Sequence, residues 1–152
     1  MQPNTHLAIN PRLCGTPLHL EPGRALVRLA TTPEMGADAQ GLVHGGFVFG
    51  LADYAAMLAV NDPFVVLGSA DLRFTSPVRV GDIVEAMAEV TETKGKKQVV
   101  SVMVRVMELD ALRASLPTGE TRASHRVVMT GTLTAFVLEK HVLDASAAEK
   151  GE

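Results

Sequence analysis

Apolar and polar positions alternate along residues 24–30, with Ala25, Val27 and Leu29 on one side and Arg24, Leu26 and Arg28 on the other. A period of two marks a half-buried β-strand. The pattern recurs at 66–75, 82–92, 98–107 and 127–138. In 82–92, Val84, Ala86, Ala88 and Val90 share one face, and Glu85 and Glu89 take the opposite, solvent side. In 98–107, Val100, Val102, Val104 and Val106 form a continuous β-branched face. Lys94-Gly95-Lys96 supplies a hairpin turn between these two strands. The run from Gly46 to Asn61 is too long for an ordinary strand and rich in Leu, Ala and Met, which favours a helix. Asp62-Pro63 ends it, because the residue before proline avoids the α region. Residues 108–125 contain Pro117 and Gly119 and read as a long connection. The order of one strand, one helix and four strands predicts an α+β fold. The later strands suit an antiparallel meander that lays its apolar face on the single helix.

That helix has no polar face, and one sheet cannot cover it on all sides. A second copy of the chain could, so burial alone predicts a homo-oligomer. The exception in the run is Asp53. At helical spacing it shares a stripe with Phe49, Gly50, Ala56 and Met57, and one turn further with Gly46 and Val60. Removing a carboxylate from water costs several kcal/mol unless it is paired or hydrogen-bonded. Asp53 is either a packing lock, bonded to a backbone N–H or an arginine, or an acid whose perturbed titration serves chemistry.

The helix is entered through His44-Gly45-Gly46. Two glycines permit a close backbone approach, and a first helical turn offers unpartnered N–H groups that stabilise developing negative charge. The plainer alternative is that they merely fit a tight loop. Gly45 and Asp53 stand eight positions apart, about 12 Å along a helix at ~1.5 Å per residue. One small carbonyl group cannot meet both in the same chain. Two helices antiparallel across a twofold axis would bring Gly45 of one copy to Asp53 of the other.

Composition narrows the setting. The chain has 152 residues and is read as one domain over 1–152, with its core at about 20–140 and a small, charged tail from 144 that frays. A net charge of −3 gives no general attraction to nucleic acid. One cysteine, Cys14, excludes an internal disulfide and a cysteine-pair zinc site, and suits a reducing, cytoplasmic setting. No leader pattern opens the sequence, and the apolar run broken by Asp53 is not read as a membrane span.

HGGFVFGLAD (44–53) resembles the signature of hotdog-fold thioesterases of the phenylacetate-pathway type: His-Gly-Gly, six residues, then Asp entering an alanine-rich segment. FTSPVRVGD (74–82) is similar to the family's aromatic-x-x-Pro-x-x-x-Gly-Asp segment after the helix. The resemblance covers roughly 20–140. It implies a five-stranded antiparallel sheet wrapped around one central helix, assembled into homodimers or homotetramers. It implies hydrolysis of acyl-CoA thioesters with no metal and no cofactor, coenzyme A being part of the substrate. By the same resemblance the Gly45 N–H polarises the carbonyl, Asp53 of the partner chain activates water or attacks directly, and His44 sets the loop. Gly46, Tyr54 and Ser69 are the substrate-binding candidates; Ser69 is an accessory one whose register is offset from the serine some relatives use. Phe47, Phe49, Tyr54, Met57 and Phe74 suit an aromatic or a medium-chain acyl pocket. Asp38 stands where some relatives carry asparagine. Lys94, Lys96, Lys97, Arg113, Arg122 and Arg126 are candidate cations for the coenzyme phosphates. Two other readings stay open: an acyl-CoA-binding regulator without turnover, and a hotdog hydratase or dehydratase. The latter would pair the acid with a histidine, and no second histidine lies in the helix region.

Overall fold

The computed structural model describes residues 1–108 and 126–144. Helix α1 (Pro11–Cys14) leads into strands β1 (Thr16–Glu21) and β2 (Arg24–Ala30), and a 3-10 turn over Pro33–Met35 precedes helix α2 (Gly45–Val60). Strands β3 (Val65–Phe74), β4 (Ile83–Lys94), β5 (Lys97–Met107) and β6 (Arg126–Val137) follow. They form one antiparallel sheet in the order β1-β2-β4-β5-β6-β3, curled around α2.

The alternating residues of β2, β4 and β5 point inward as their pattern predicts. Val27, Val84, Ala86, Val100 and Val104 have no exposed surface, and they pack with Leu51, Ala55 and Leu58 of α2. Two expectations need correction. The sheet has six strands, not five, because β1 pairs with β2 through the two-residue turn Pro22-Gly23, Gly23 holding a φ of +80°. TPLHLE hides this strand: it is an exposed edge, and a register shift between Pro17 and His19 breaks the period of two. The four later strands are also not one meander. β4, β5 and β6 are, but β3 crosses over to pair with β6 at the far edge. Residues 75–82 cannot close a β3–β4 hairpin, because they bind the loop before α2.

Close approach of β3 and β6 depends on Gly131, where a Cβ would lie 2.3 Å from the Asp71 carbonyl oxygen. Glu85 also departs from expectation. It is on the outer face of the sheet yet only 2% exposed, because Arg28 closes on Oε2 and Arg105 approaches Oε1 at 3.6 Å. The two guanidinium groups close on a carboxylate that alternation alone leaves open to water. Among the described residues no helix is long and apolar enough to cross a membrane.

Candidate functional site

Helix α2 begins at Gly45, with His44 as its N-cap, extended at φ −62° and ψ 130°. No side chain caps this end; Phe47 N–H donates to the His44 carbonyl at 3.0 Å, while the Gly45 and Gly46 N–H groups at the helix start have no helical acceptor. The second motif positions the first. Val43 donates to the Val78 carbonyl at 2.8 Å, Val80 to Gly41 at 2.8 Å, and His44 to Met35 at 2.9 Å. Arg79 donates to the Asp82 carboxylate, and the Thr31 hydroxyl donates to the Asp82 carbonyl and accepts from Gly81 N–H, which fixes a turn in which Gly81 holds φ +98°. Asp38 accepts from Gln40 and Leu42 N–H and closes the loop from the other side.

The glycines have steric work to do. A Cβ at Gly46 would lie 2.9 Å from His44 Nε2, so the missing side chain lets the imidazole fold over the helix entry, edge-on to Phe47. At Gly45 the nearest atom would be Phe74 Cε1 at 3.3 Å. A cleft of about 390 Å³ opens beside Gly45 and Val48, lined by Phe74, Ser76, Pro77 and Val128. A cleft of about 430 Å³ lies elsewhere, on the outer sheet face over Leu26, Met87 and Met103, and contains none of the motif residues.

The sheet and the N-terminal segment cover more of α2 than its all-round apolarity suggests. Ala56 and Met57 are buried. Cover is incomplete along Gly46, Phe49, Gly50 and Asp53, and a Cβ at Gly50 would meet open space. Asp53 thus sits on the partly open stripe, but its Oδ1 is buried and has no hydrogen-bond partner among the described residues. Burial pushes its carboxyl above the ordinary carboxylate value, and the charge of His6 pulls the other way. Burial, with the Asp53 charge, also raises the Cys14 thiol; burial, with Cys14, raises Tyr54. His6 is the residue that sequence reasoning missed. It is a lone histidine in an unpatterned segment, and only folding lays it against the helix.

The other candidates separate. His44, Gly45 and Gly46 lie together, two turns of α2 away from Asp53. Tyr54 is 5% exposed and packs toward His6, outside the cleft at Gly45. Ser69 is exposed on β3 opposite Thr134, also outside that cleft. Lys96 shares a surface hollow with Val60 and Asp62, so the β4–β5 hairpin with Lys94 and Lys97 stands at the end of α2 remote from Gly45. Arg126 donates to Ser76 Oγ at 2.9 Å and lies 3.7 Å from Asp82 and 3.5 Å from Glu108, so it braces the cleft wall. Arg113, Arg122 and the rest of the 109–125 connection lie outside the described residues, as does the tail from 145. No group of three metal-ligating side chains occurs among the described residues.

An antiparallel sheet curled about one long helix, entered through His-Gly-Gly, is the hotdog architecture. Residues 40–109 match the thioesterase superfamily, and the chain is similar to hotdog-fold proteins of the phenylacetate-pathway type. It is 46% identical to an uncharacterized protein from Pyrococcus horikoshii, over 95% of this chain and 98% of that one, with a TM-score of 0.81. It is 29% identical to a mutant of the phenylacetic acid degradation protein PaaI from Thermus thermophilus, over 83% and 95% of the two chains, with a TM-score of 0.64. Among curated relatives it is 53% identical over 102 residues to a methylthioribose-1-phosphate isomerase from Aquifex aeolicus. The match spans 67% of this chain but only 22% of that isomerase. It likewise spans 36% of a transcription factor FapR from Caldanaerobacter subterraneus, at 32% identity over 47% of this chain.

Proposed function

We propose that the chain hydrolyses acyl-CoA thioesters at sites shared between two copies of itself, in a dimer or a dimer of dimers. The observation that carries this reading is the buried Oδ1 of Asp53, without a hydrogen-bond partner among the described residues, on the partly open stripe of α2. An acid so placed is unfavourable in the isolated chain. A second α2, antiparallel across a twofold axis, would bring its His44-Gly45-Gly46 turn to that carboxylate. The long edge strand β3, mostly exposed, offers an unpaired row of backbone groups for the same association.

In this arrangement the Gly45 N–H of one copy holds the thioester oxygen as negative charge builds on it. Asp53 of the other copy takes a proton from water as the water oxygen bonds to the carbonyl carbon. The tetrahedral adduct collapses, the carbon–sulfur bond breaks, and the coenzyme thiolate leaves with the proton that Asp53 had taken from water, which returns the carboxylate to its starting state. Direct attack by the carboxylate, with an anhydride then opened by water, uses the same two groups. Phe74 beside Gly45, with Phe47 and Phe49 on the helix, suits an aromatic or medium-length acyl chain. Tyr54, Ser69, Phe47 and Phe49 do not line the cleft at Gly45, so within this chain its apolar wall is made by Phe74 with Leu42, Val48 and Val128.

A second reading, an acyl-CoA-binding module without turnover, is favoured by the match to transcription factors. A panel of acyl-CoAs with a thiol-detecting dye separates the two. Hydrolysis predicts steady release of free CoA from at least one aromatic or medium-chain thioester. Tight binding with no thiol release across the panel would contradict hydrolysis and favour the module.

A further inference from the structure

The two ends of strand β3 open on different clefts. Phe74, its last residue, lines the cleft at Gly45. Val65 and Leu67, at its start, line another of about 410 Å³, together with Thr5, His6, Phe64 and His141. The two clefts share no residue. Val65 and Phe74 are nine residues apart, about 30 Å along a strand at ~3.3 Å per residue, so one chain cannot join its own clefts around a single thioester. Two chains can. β3 has β6 on one side and, among the described residues, no strand on the other. Pairing of this open edge with its own copy, antiparallel about the twofold axis that relates the two α2 helices, sets the Val65 end of one strand against the Phe74 end of the other. The second cleft of one copy then continues the Gly45 cleft of the other. It also begins beside the acid: the His6 ring lies 6.3 Å, centroid to centroid, from the ring of Tyr54, the residue after Asp53.

The clefts differ in chemistry. No charged or imidazole side chain lines the one at Gly45, which suits an acyl group. The other sets two imidazoles and a threonine among Phe64, Val65 and Val142. His141 Nδ1 accepts from Leu143 N–H at 3.1 Å, so the neutral ring carries its proton on Nε2 and donates there. The Thr5 hydroxyl lies 2.8 Å from His6 Nδ1, and by donating to it leaves His6 Nε2–H as a second donor. Leu138 N–H donates to the Phe64 carbonyl at 3.2 Å, and Leu138 lines the hollow that holds Lys96, so candidate cations for the coenzyme phosphates stand next along this path. Thr5, His6 and His141 lie outside residues 40–109, the stretch that matches the superfamily.

We propose that this cleft takes the pantetheine arm of the coenzyme: His6 and His141 of one copy donate to its amide carbonyls while the thioester carbonyl meets Gly45 of the other copy. Pantetheine alternates amides with apolar carbons, as the wall of the cleft alternates donors with apolar side chains. The proposal deepens the hydrolase reading and rests on it.

His141→Asn keeps a side-chain acceptor for Leu143 N–H but falls short of the Nε2 position. His6→Asn tolerates the φ of +55° that His6 holds and shortens its donor in the same way. Three thioesters of one acyl group separate the contacts: acyl-CoA, acyl-pantetheine, and the ethyl thioester, which has no amide. In each variant, the advantage in kcat/KM of acyl-pantetheine over the ethyl thioester should shrink about 3- to 10-fold, the effect of one net hydrogen bond. The same factor should appear with acyl-CoA. A ratio of two substrates on one protein is insensitive to the folded fraction. An unchanged ratio, whether because every thioester loses equally or because none loses, would overturn the proposal. If no thioester turns over, calorimetry with CoA and with pantetheine decides. Weaker binding of both to the variants than to the wild type retains the pantetheine cleft and rejects the hydrolase. Equal or absent binding rejects the cleft.

Discussion

Asp53→Asn is expected to lower kcat/KM for CoA release by a factor of about 10² to 10⁴, the usual contribution of a positioned general base, and at the same time to raise the melting temperature at neutral pH. The amide has the shape of the acid but cannot accept a proton from water or attack a carbonyl as an anion. Its effect on stability has the opposite sign. Burial raises the Asp53 carboxyl in the folded chain. Between the ordinary aspartate value and that raised value, the native state binds a proton that the unfolded chain has released. Stability therefore falls as pH rises through this window and stays reduced above it. Asparagine carries no such penalty. The gain in melting temperature should be absent in the acid range, grow through the window and be complete above it. Thermal melts from pH 3 to 8 give the check. A variant less stable than wild type at pH 7 would show that the carboxylate is a packing lock after all.

Gly131→Ala is expected to lower the melting temperature by about 8–16 °C. The new Cβ would sit 2.3 Å from the Asp71 carbonyl oxygen, 2.5 Å from Leu72 Cδ2 and 2.8 Å from Leu72 Cα. Two of these are backbone atoms of a paired strand and cannot rotate away. Relief requires β3 to lift from β6, which disrupts pairing from Val65↔Val137 to Phe74↔Met129. A cost of about 4 kcal/mol or more, at the far end of single-substitution effects, is a large share of a domain's usual ~5–15 kcal/mol. The damage should also reach the site. Thr75 N–H donates to Val128 at the end of this pairing, and the segment that follows holds the His44 loop. A melting temperature within a few degrees of wild type would mean that the two strands tolerate separation at this point.

The inward faces of β2, β4 and β5 were legible because one side of each is buried and the other wet, so period two is written directly in residue type. The fate of Glu85 was not, because its burial depends on arginines from the two flanking strands. Strand β1 and the pairing of β3 with β6 were hidden for a related reason: both strands are sheet edges, where burial is slight and a bulge interrupts the period. Pro22-Gly23 was the one local sign that a strand preceded β2. At the site, the stripe of Gly46, Phe49, Gly50 and Asp53 follows from helical spacing alone. That Ala56 and Met57 are covered does not, because the cover comes from elements distant in sequence. His6 was hidden in the same way. Along the chain no second histidine lies near the helix, but in space one does.

The 74–82 motif acts through its backbone. Gly81 and Asp82 build its turn, and Val78 and Val80 hold residues 43 and 41, and through them the N-terminus of α2. The two motifs are therefore one structural device, with the helix entry as its product.

The shared site is tested most directly by mixing two disabled chains. Gly45→Pro removes the amide hydrogen, while proline suits the first position of a helix and the extended His44 before it. Each homo-oligomer, Gly45→Pro or Asp53→Asn, should release almost no CoA. Differently tagged and isolated as a mixed dimer, the pair retains one site in which an intact Gly45 faces an intact Asp53, and turnover should return at that site. A mixed dimer as inactive as either parent would contradict a site built by two chains.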